Sequence, residues 1–405
     1  MSTLKVKTEF RVEADEAFFA ALPASPAVFL LRGAEAGSEP YLSKSSNLRR
    51  RVERLLGQAA GVSKRLNLRD RVRWLEFERV GSDFEAGLLL YRVLRQEFPR
   101  TYQDRLRLRP APFIKFILGN AYPRLAVTTR IGSLRGEDAY YGPFATRASA
   151  EQFASDSLDF FKLRRCTDDL SPDPKFPGCV YSEMKMCMAP CFVGCTDAEY
   201  AKETARVRRY LDTGGNSLKL ELAEAREKAS GLLEFESAAA AHVRMEKLHA
   251  VRQQLPDLVR RIDQLAGLMV QPSHEPDSVA LFKIVGGMLA HPVRFKVAGK
   301  QVAAGEVKTP QSMESRIAEA LAAVETPKPT SAQEWMEHLA LLKRWFYRTS
   351  KVGELFLAEA NGELPMRRIV RGVSRVFKGE KPQADLSESA RDYWVNRGKE
   401  SAAQE

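Results

Sequence analysis

Short runs of alternating or wholly apolar residues dominate the front third of the chain. Residues 26–32 (PAVFLLR) read as a short buried strand, and 40–44 (PYLSK) as its hairpin partner across a Gly-containing turn. Asn47 is placed to cap a helix running through LRRRVERLLG, which Gly57 ends. Residues 73–80 (RWLEFERV) alternate as a strand, and Asp83 is expected to cap an apolar helix to about Gln96. Pro99 and Pro110 then interrupt the pattern. FIKFIL from Phe113 and RLAVTTRI from Arg124 give two more strands. After a turn at Tyr140-Tyr141-Gly142-Pro143, a helix is expected from about Arg147 to Leu163.

The period changes further on. From Asp197 to about Leu265 the chain is helical and Ala-rich, with Leu218, Leu222, Ala225, Ala229 and Leu232 recurring at three and four, as do Ala241, Met245 and Leu248. Two such stripes make an antiparallel hairpin that needs a partner surface for its second face. Strand patterns return over 265–298 around Gly286-Gly287, and helices follow at Ser312–Val324 and Ala332–Phe346 before a polar tail from about Lys378. Trp335, Trp345, Phe346 and Tyr347, at helical spacing, read as core rather than as a base-stacking group. The 405 residues exceed what one core usually supports. The expectation is therefore an α+β multidomain chain. It comprises a small α/β domain over 1–103, a cysteine-bearing linker region over 104–195, a helical hairpin over 196–264, a short β segment over 265–310 and a helical C-terminal region over 311–405.

Composition narrows the function. No run approaches 18 apolar residues, and the first residues are too charged for a secretory signal, so the expected location is cytoplasmic with no membrane partner. The formal net charge is +11. From Tyr41 to Arg130 there are 20 Lys and Arg against 8 Asp and Glu, a net of +12, so one segment carries the whole excess. Many of these are Arg, among them Arg49, Arg50, Arg51 and Arg54, whose forks match phosphate geometry. The concentration favours nucleic acid over a solvated basic face. The first of five His is His242, which excludes histidine catalysis in the front half.

Cys166, Cys179, Cys187 and Cys191 lie within 26 residues, with Cys195 just behind. Four thiolates complete a tetrahedral zinc site or the corners of an iron–sulfur cluster. The string has no paired C-x2-C knuckle, and its uneven gaps suit a loop around a larger inorganic core, but the residues alone leave the metal open.

These motifs resemble the amino-terminal half of the UvrC family of excinucleases. PAVFL at Pro26–Leu30 is similar to its P-G-V-Y-L, and YLSKSSNLRRR at Tyr41–Arg51 to its Y-V-G-K-A-K-N-L-R-K-R. EAGLLLY from Glu85 resembles E-A-L-L-L-E, and YYGP resembles Y-F-G-P. RRC at Arg164–Cys166 followed by CVYSEMKMCMAPC at Cys179–Cys191 is the most specific match. The resemblance implies that Cys166, Cys179, Cys187 and Cys191 ligate an iron–sulfur cluster, 4Fe-4S, with zinc the alternative; Cys195 has no counterpart. Leu233–Ala239 is similar to the UVR motif, which implies a UvrB-like partner met through Phe235 and Ala239. His242-Val243 replaces the Arg-Asp that follows in that motif. The family's RNase H-like nuclease, with its Asp-Gly-Gly segment, has no counterpart here.

The front segment resembles a GIY-YIG endonuclease domain, which needs a base for the attacking water, a divalent cation and an Arg for the anionic transition state. By the match, Tyr41, Lys44 and Arg51 keep the second tyrosine, the neighbouring lysine and the arginine. Phe29 replaces the first tyrosine and cannot relay a proton. Ser43 replaces a glycine, and Leu90 stands where the metal-binding Glu belongs. Three readings follow: a UvrC-like repair protein that binds DNA or its complex without cutting; an active, magnesium-dependent structure-specific endonuclease; or an RNA- or DNA-binding adaptor outside repair.

Overall fold

The computed structural model describes residues 4–35, 37–58, 66–134, 136–168, 170–298 and 311–381; the expected polar tail lies outside the described residues from residue 382 on. The first unit contains β1 (Val6–Glu9), α1 (Asp15–Ala21), β2 (Ala27–Gly33), β3 (Tyr41–Ser45), α2 (Leu48–Leu56), β4 (Val72–Arg79) and α3 (Asp83–Glu97), followed by the short α4 (Tyr102–Leu106). Its strands form an antiparallel sheet in the order β1-β4-β2-β3. Alternation along β2 sends Ala27, Phe29 and Leu31 toward Leu48, Val52 and Leu55 of α2. Val28 and Leu30 pack instead with Ala86 and Val93 of α3.

Asn47 caps α2 as expected, its side chain accepting from the Arg50 N–H at 3.0 Å. At α3 the cap is one residue earlier than expected. Ser82 has extended dihedrals and its Oγ accepts from the Glu85 N–H at 3.1 Å, which makes Asp83 the first helical residue. The hydroxyl one position upstream takes the orphan N–H.

The second unit begins with β5 (Phe113–Ile117), β6 (Arg124–Thr128), β7 (Ala139–Gly142) and α5 (Arg147–Leu158). Helix α5 stops short of the expected Leu163, because Phe160, Phe161 and Leu163 leave it to fill the core. The cysteine loop holds only the four-residue α6 (Val180–Glu183). Three helices follow, α7 (Asp197–Asp212), α8 (Asn216–Gly231) and α9 (Phe235–Gln253), and β8 (Arg260–Arg261) returns to pair with β7. Leu218, Leu222 and Leu248 are buried in this unit's core, while Ala225 and Leu232 of the expected stripe are exposed.

The third unit is a sheet of β9 (Gly267–Pro272), β10 (Ser278–Val285), β11 (Met288–Leu289) and β12 (Val293–Lys296), with α10 (Met313–Ala322), α11 (Ala332–Phe346), β13 (Glu354–Leu357) and α12 (Met366–Lys378). The β segment and the helical region thus share one sheet, because β13 pairs antiparallel with β9. One sheet face, through Met269, Ala280 and Phe282, meets α11. The other, through Leu268, Val270 and Leu281, meets Ile317 of α10 and Ile369 and Val373 of α12. Gly372 has a packing reason: a Cβ there would lie 2.2 Å from the Phe356 ring, so glycine lets α12 lie close on β13. Trp345 and Phe346 are buried, with Trp335 and Tyr347 packed against the same cluster, as their spacing predicts for core residues.

Candidate functional site

Two of the nuclease-like residues meet. Tyr41 on β3 and Arg51 on α2 lie ten positions apart, and the Arg51 guanidinium donates to the Tyr41 hydroxyl at 2.8 Å. Hydroxyl and guanidinium can together bind a phosphate oxygen. The remaining positions are occupied differently. Phe29 is fully buried between β3 and β4, its ring 6.2 Å from that of Tyr41. Leu90 packs with Leu42 and Leu89 against the opposite face of the sheet, in apolar surroundings. A hard cation needs oxygen ligands, and neither position supplies one.

The nearby carboxylates are committed elsewhere. Glu85 is buried, accepts from the Gly81 N–H at 2.8 Å and pairs with Arg294 of β12. Glu97 accepts from Arg32 at 2.6 Å. Asp83 takes Lys44 and, at 2.7 Å, Arg348 from the loop after α11. Partial burial raises the Asp83 pKa, but the two cations outweigh it and hold the carboxyl below its ordinary range. Sequence spacing gave no sign of this three-way contact, since Arg348 comes from the far end of the chain.

The basic helix divides its arginines. Arg49 is tied inward, donating to the carbonyls of Leu22 at 2.8 Å and Ala20 at 2.9 Å, where it satisfies the end of α1. It therefore serves the fold first. Arg50 and Arg54 are exposed and present their forks to solvent.

All five cysteines are free thiols and partly buried. Burial pushes the Cys187 thiol up to about 11; the Ala189 N–H opposes this, while Cys166, Cys179 and Cys191 add to the rise. Cys191 is raised by burial and then by Cys179, with Cys166 contributing less. Both shifts are led by burial, with the neighbouring cysteines adding to it. Among the described residues, however, no group of three or more His, Cys, Asp or Glu is drawn together as for a metal ion. The loop is fastened around the thiols: the Asp173 N–H donates to the Cys191 carbonyl at 2.9 Å and the Met188 N–H to the Lys162 carbonyl at 3.0 Å. Arg164, only 2% exposed, donates to the carbonyls of Tyr122 and Asp168 at 2.9 and 2.8 Å and lies 3.5 Å from the Cys166 sulfur. This buried cation is a part of the site that residue spacing did not single out. Cys195 packs against the neighbouring core.

At the hairpin, Leu232, Leu233 and Phe235 form an exposed apolar tip, Phe235 being 72% exposed. Ala239 is also exposed, one helical turn further along α9. Small and apolar side chains at this spacing offer a face to another helix.

Residues 111–210 match the family described as "UvrC/Cho excinuclease, middle domain", which covers β5 to α7 and the cysteine loop. Curated relatives extend the match to both sides. UvrABC system protein C of Pseudomonas syringae is 28% identical over 310 residues, 76% of this chain and 48% of the relative. The Pseudomonas fluorescens protein of that name is 29% identical over the same shares. That of Brucella abortus is 28% identical over 70% of this chain and 43% of its own. No solved structure matches. The chain is thus similar to the UvrC family, with residues 111–210 matching its middle domain, and spans about half the length of the curated relatives it matches.

Proposed function

We propose that the chain is a UvrC-like nucleotide-excision-repair protein that binds DNA, and a UvrB-like protein, without cutting through its GIY-YIG-like first unit. The observation that carries this is the contrast within one small domain. The Tyr41–Arg51 pair remains formed, while the positions of the relay tyrosine and the metal ligand are apolar Phe29 and Leu90. Loss of proton relay and cation each removes orders of magnitude in rate. The residues present do not fit a catalytic magnesium ion. Arg50 and Arg54 supply the phosphate-facing surface, and the tip at Phe235 and Ala239 is the face for the UvrB-like partner. A cytoplasmic location goes with this reading, since a repair protein must reach the DNA. Among the described residues no helix is long and apolar enough to cross a membrane.

Cys166, Cys179, Cys187 and Cys191 are proposed to hold an iron–sulfur cluster, 4Fe-4S, with zinc as the alternative. Such a group, when bound, supplies a cross-link for a polar loop and a centre able to exchange electrons. Arg164 offsets thiolate charge beside Cys166. Anaerobic purification is expected to give brown protein with bound iron; colourless protein with stoichiometric zinc would replace the iron assignment.

The nuclease reading is tested on damaged duplex with magnesium or manganese, with and without UvrA and UvrB. No incision by the chain is expected. Metal-dependent incision that disappears in Arg51→Ala would overturn the non-cutting reading. Equal affinity for RNA hairpins and DNA, with no UvrB contact, would move the chain outside repair.

A further inference from the structure

Helix α12 (MRRIVRGVSRVFK) carries five cations and neither Asp nor Glu. Its apolar side is fully occupied: Ile369, Val373 and Val376 are buried in the core of the third unit, and Gly372 lies against the Phe356 ring. Arg375 also serves the fold, donating to both carboxylate oxygens of Glu354 at 2.8 and 2.6 Å. The outward side is different. Arg367, Arg371 and Lys378 are exposed and stand at positions i, i+4 and i+11, which the winding of an α-helix brings within about 40° of one another. They form a straight ridge about 16 Å long. Lys378 approaches the exposed Glu380 at 3.8 Å, whereas among the described residues Arg367 and Arg371 have no ion-pair partner.

Folding does not call for these charges. The first turn of a helix is its positive end, where a carboxylate stabilises and a cation costs up to about 1 kcal/mol. Helices α3, α7, α10 and α11 each open with an acidic residue in that turn. Helix α12 opens instead with Arg367 and Arg368 and no acid. The same signature marks α2, which opens with Arg49 and Arg50 and no acid, and whose Arg50 and Arg54 face DNA in the reading above. With its apolar side covered, α12 has no face to insert into a lipid layer. What its ridge fits is a row of anions. A nucleic-acid strand carries one phosphate per about 3.4 Å of axis, so several fall within the ridge. Arginine forks match their geometry.

We propose that the outward face of α12 is a second nucleic-acid contact, with Arg367, Arg371 and Lys378 lying along one phosphate backbone. This helix lies beyond every motif quoted from the sequence and belongs to a different unit from α2. The choice of DNA as the polyanion rests on the repair reading above; the ridge itself depends on neither Arg50 nor Arg54.

Fluorescence anisotropy on the full chain, with a labelled duplex and a labelled single strand across ionic strengths, tests this. Arg367→Ala with Arg371→Ala is expected to reduce the slope of log affinity against log salt by about 2 on duplex and about 1.4 on single strand. The urea midpoint of this variant stays or rises, since two cations leave a positive helix end. Arg375→Ala, which breaks the Glu354 pair, is expected to do the reverse, lowering the midpoint and leaving the slope alone. Loss confined to one form of DNA assigns the ridge to that form. An unaltered slope on both forms would overturn the proposal, as would binding to phosphatidylserine vesicles that the double variant loses while keeping its affinity for DNA. Arg50→Ala with Arg54→Ala, measured in parallel, separates the two readings. A loss of slope only in the α12 pair retires the α2 surface and keeps the ridge; a loss only in the α2 pair retires the ridge.

Discussion

Glu85 lies near the start of a helix flanked by two units, and its carboxylate is held by the Gly81 N–H and the Arg294 guanidinium inside the protein. Both partners are largely withdrawn from water, at 4% and 13% side-chain exposure. Glu85→Gln leaves Arg294 with only the Glu275 carboxylate, at 4.0 Å, so a loss of about 3 kcal/mol is expected in urea unfolding. His338 on α11 is buried, and its Nδ1 accepts from the Leu289 N–H at 3.0 Å. Burial lowers its pKa to about 4, with the nearby Arg92 adding to the shift. The unfolded chain then takes up a proton near pH 6.5 while the folded one refuses it. Stability is whole above that pH and falls as pH drops toward 4. At about 1.4 kcal/mol per pH unit the loss is on the order of 3 kcal/mol. His338→Gln keeps an acceptor and does not titrate. Thermal scans across pH 7 to 4 are expected to show a shallower decline in this variant; an unchanged slope would place the effect elsewhere.

At the scale of elements, α3 explains most of the architecture. Ala86 and Val93 serve the first sheet while Phe84, Leu88 and Tyr91 serve the third unit, where the Tyr91 hydroxyl donates to Glu337 at 2.8 Å. A helix apolar on both sides is one buried between two layers. Its apolar run was plain in the sequence; its two destinations were not, because period reports burial and not partners. Residue pattern likewise marks β2, β3 and α2, down to the Asn47 cap. Asn47→Ala is expected to cost about 1 kcal/mol, read by chemical unfolding. Strand β1 and strand β13 escape such reading. Val6–Glu9 is short and exposed, and Glu354–Leu357 alternates for only four residues. Of the candidate site, the clustering of the Cys set is visible in the sequence, and Tyr41 and Arg51 are singled out there by the motif resemblance. Arg348 meeting Asp83 depends on two distant segments folding together.

Across the whole molecule, the positive charge concentrated between Tyr41 and Arg130 is partly spent on the fold. Arg49 closes α1, Arg69 pairs with Asp15 at 2.7 Å, and Arg95 pairs with Glu334. Arg50 and Arg54 therefore count for more in binding than the formal charge implies. Replacing both with Ala is expected to reduce the slope of log affinity for duplex DNA against log salt by about 2, read by fluorescence anisotropy at several ionic strengths. An unaltered slope would place the DNA surface elsewhere.

The pairing of β13 with β9 also has a consequence for synthesis on the ribosome. Strand β9 emerges early, yet one of its edges is covered only once Glu354–Leu357 has been made. Until then the nascent chain carries an open row of N–H and C=O groups beside Leu268 and Val270. A message broken after α11 would therefore release a protein whose third unit has an adhesive edge. Such a product is expected to aggregate, which light scattering on a chain ending after Phe346 would reveal.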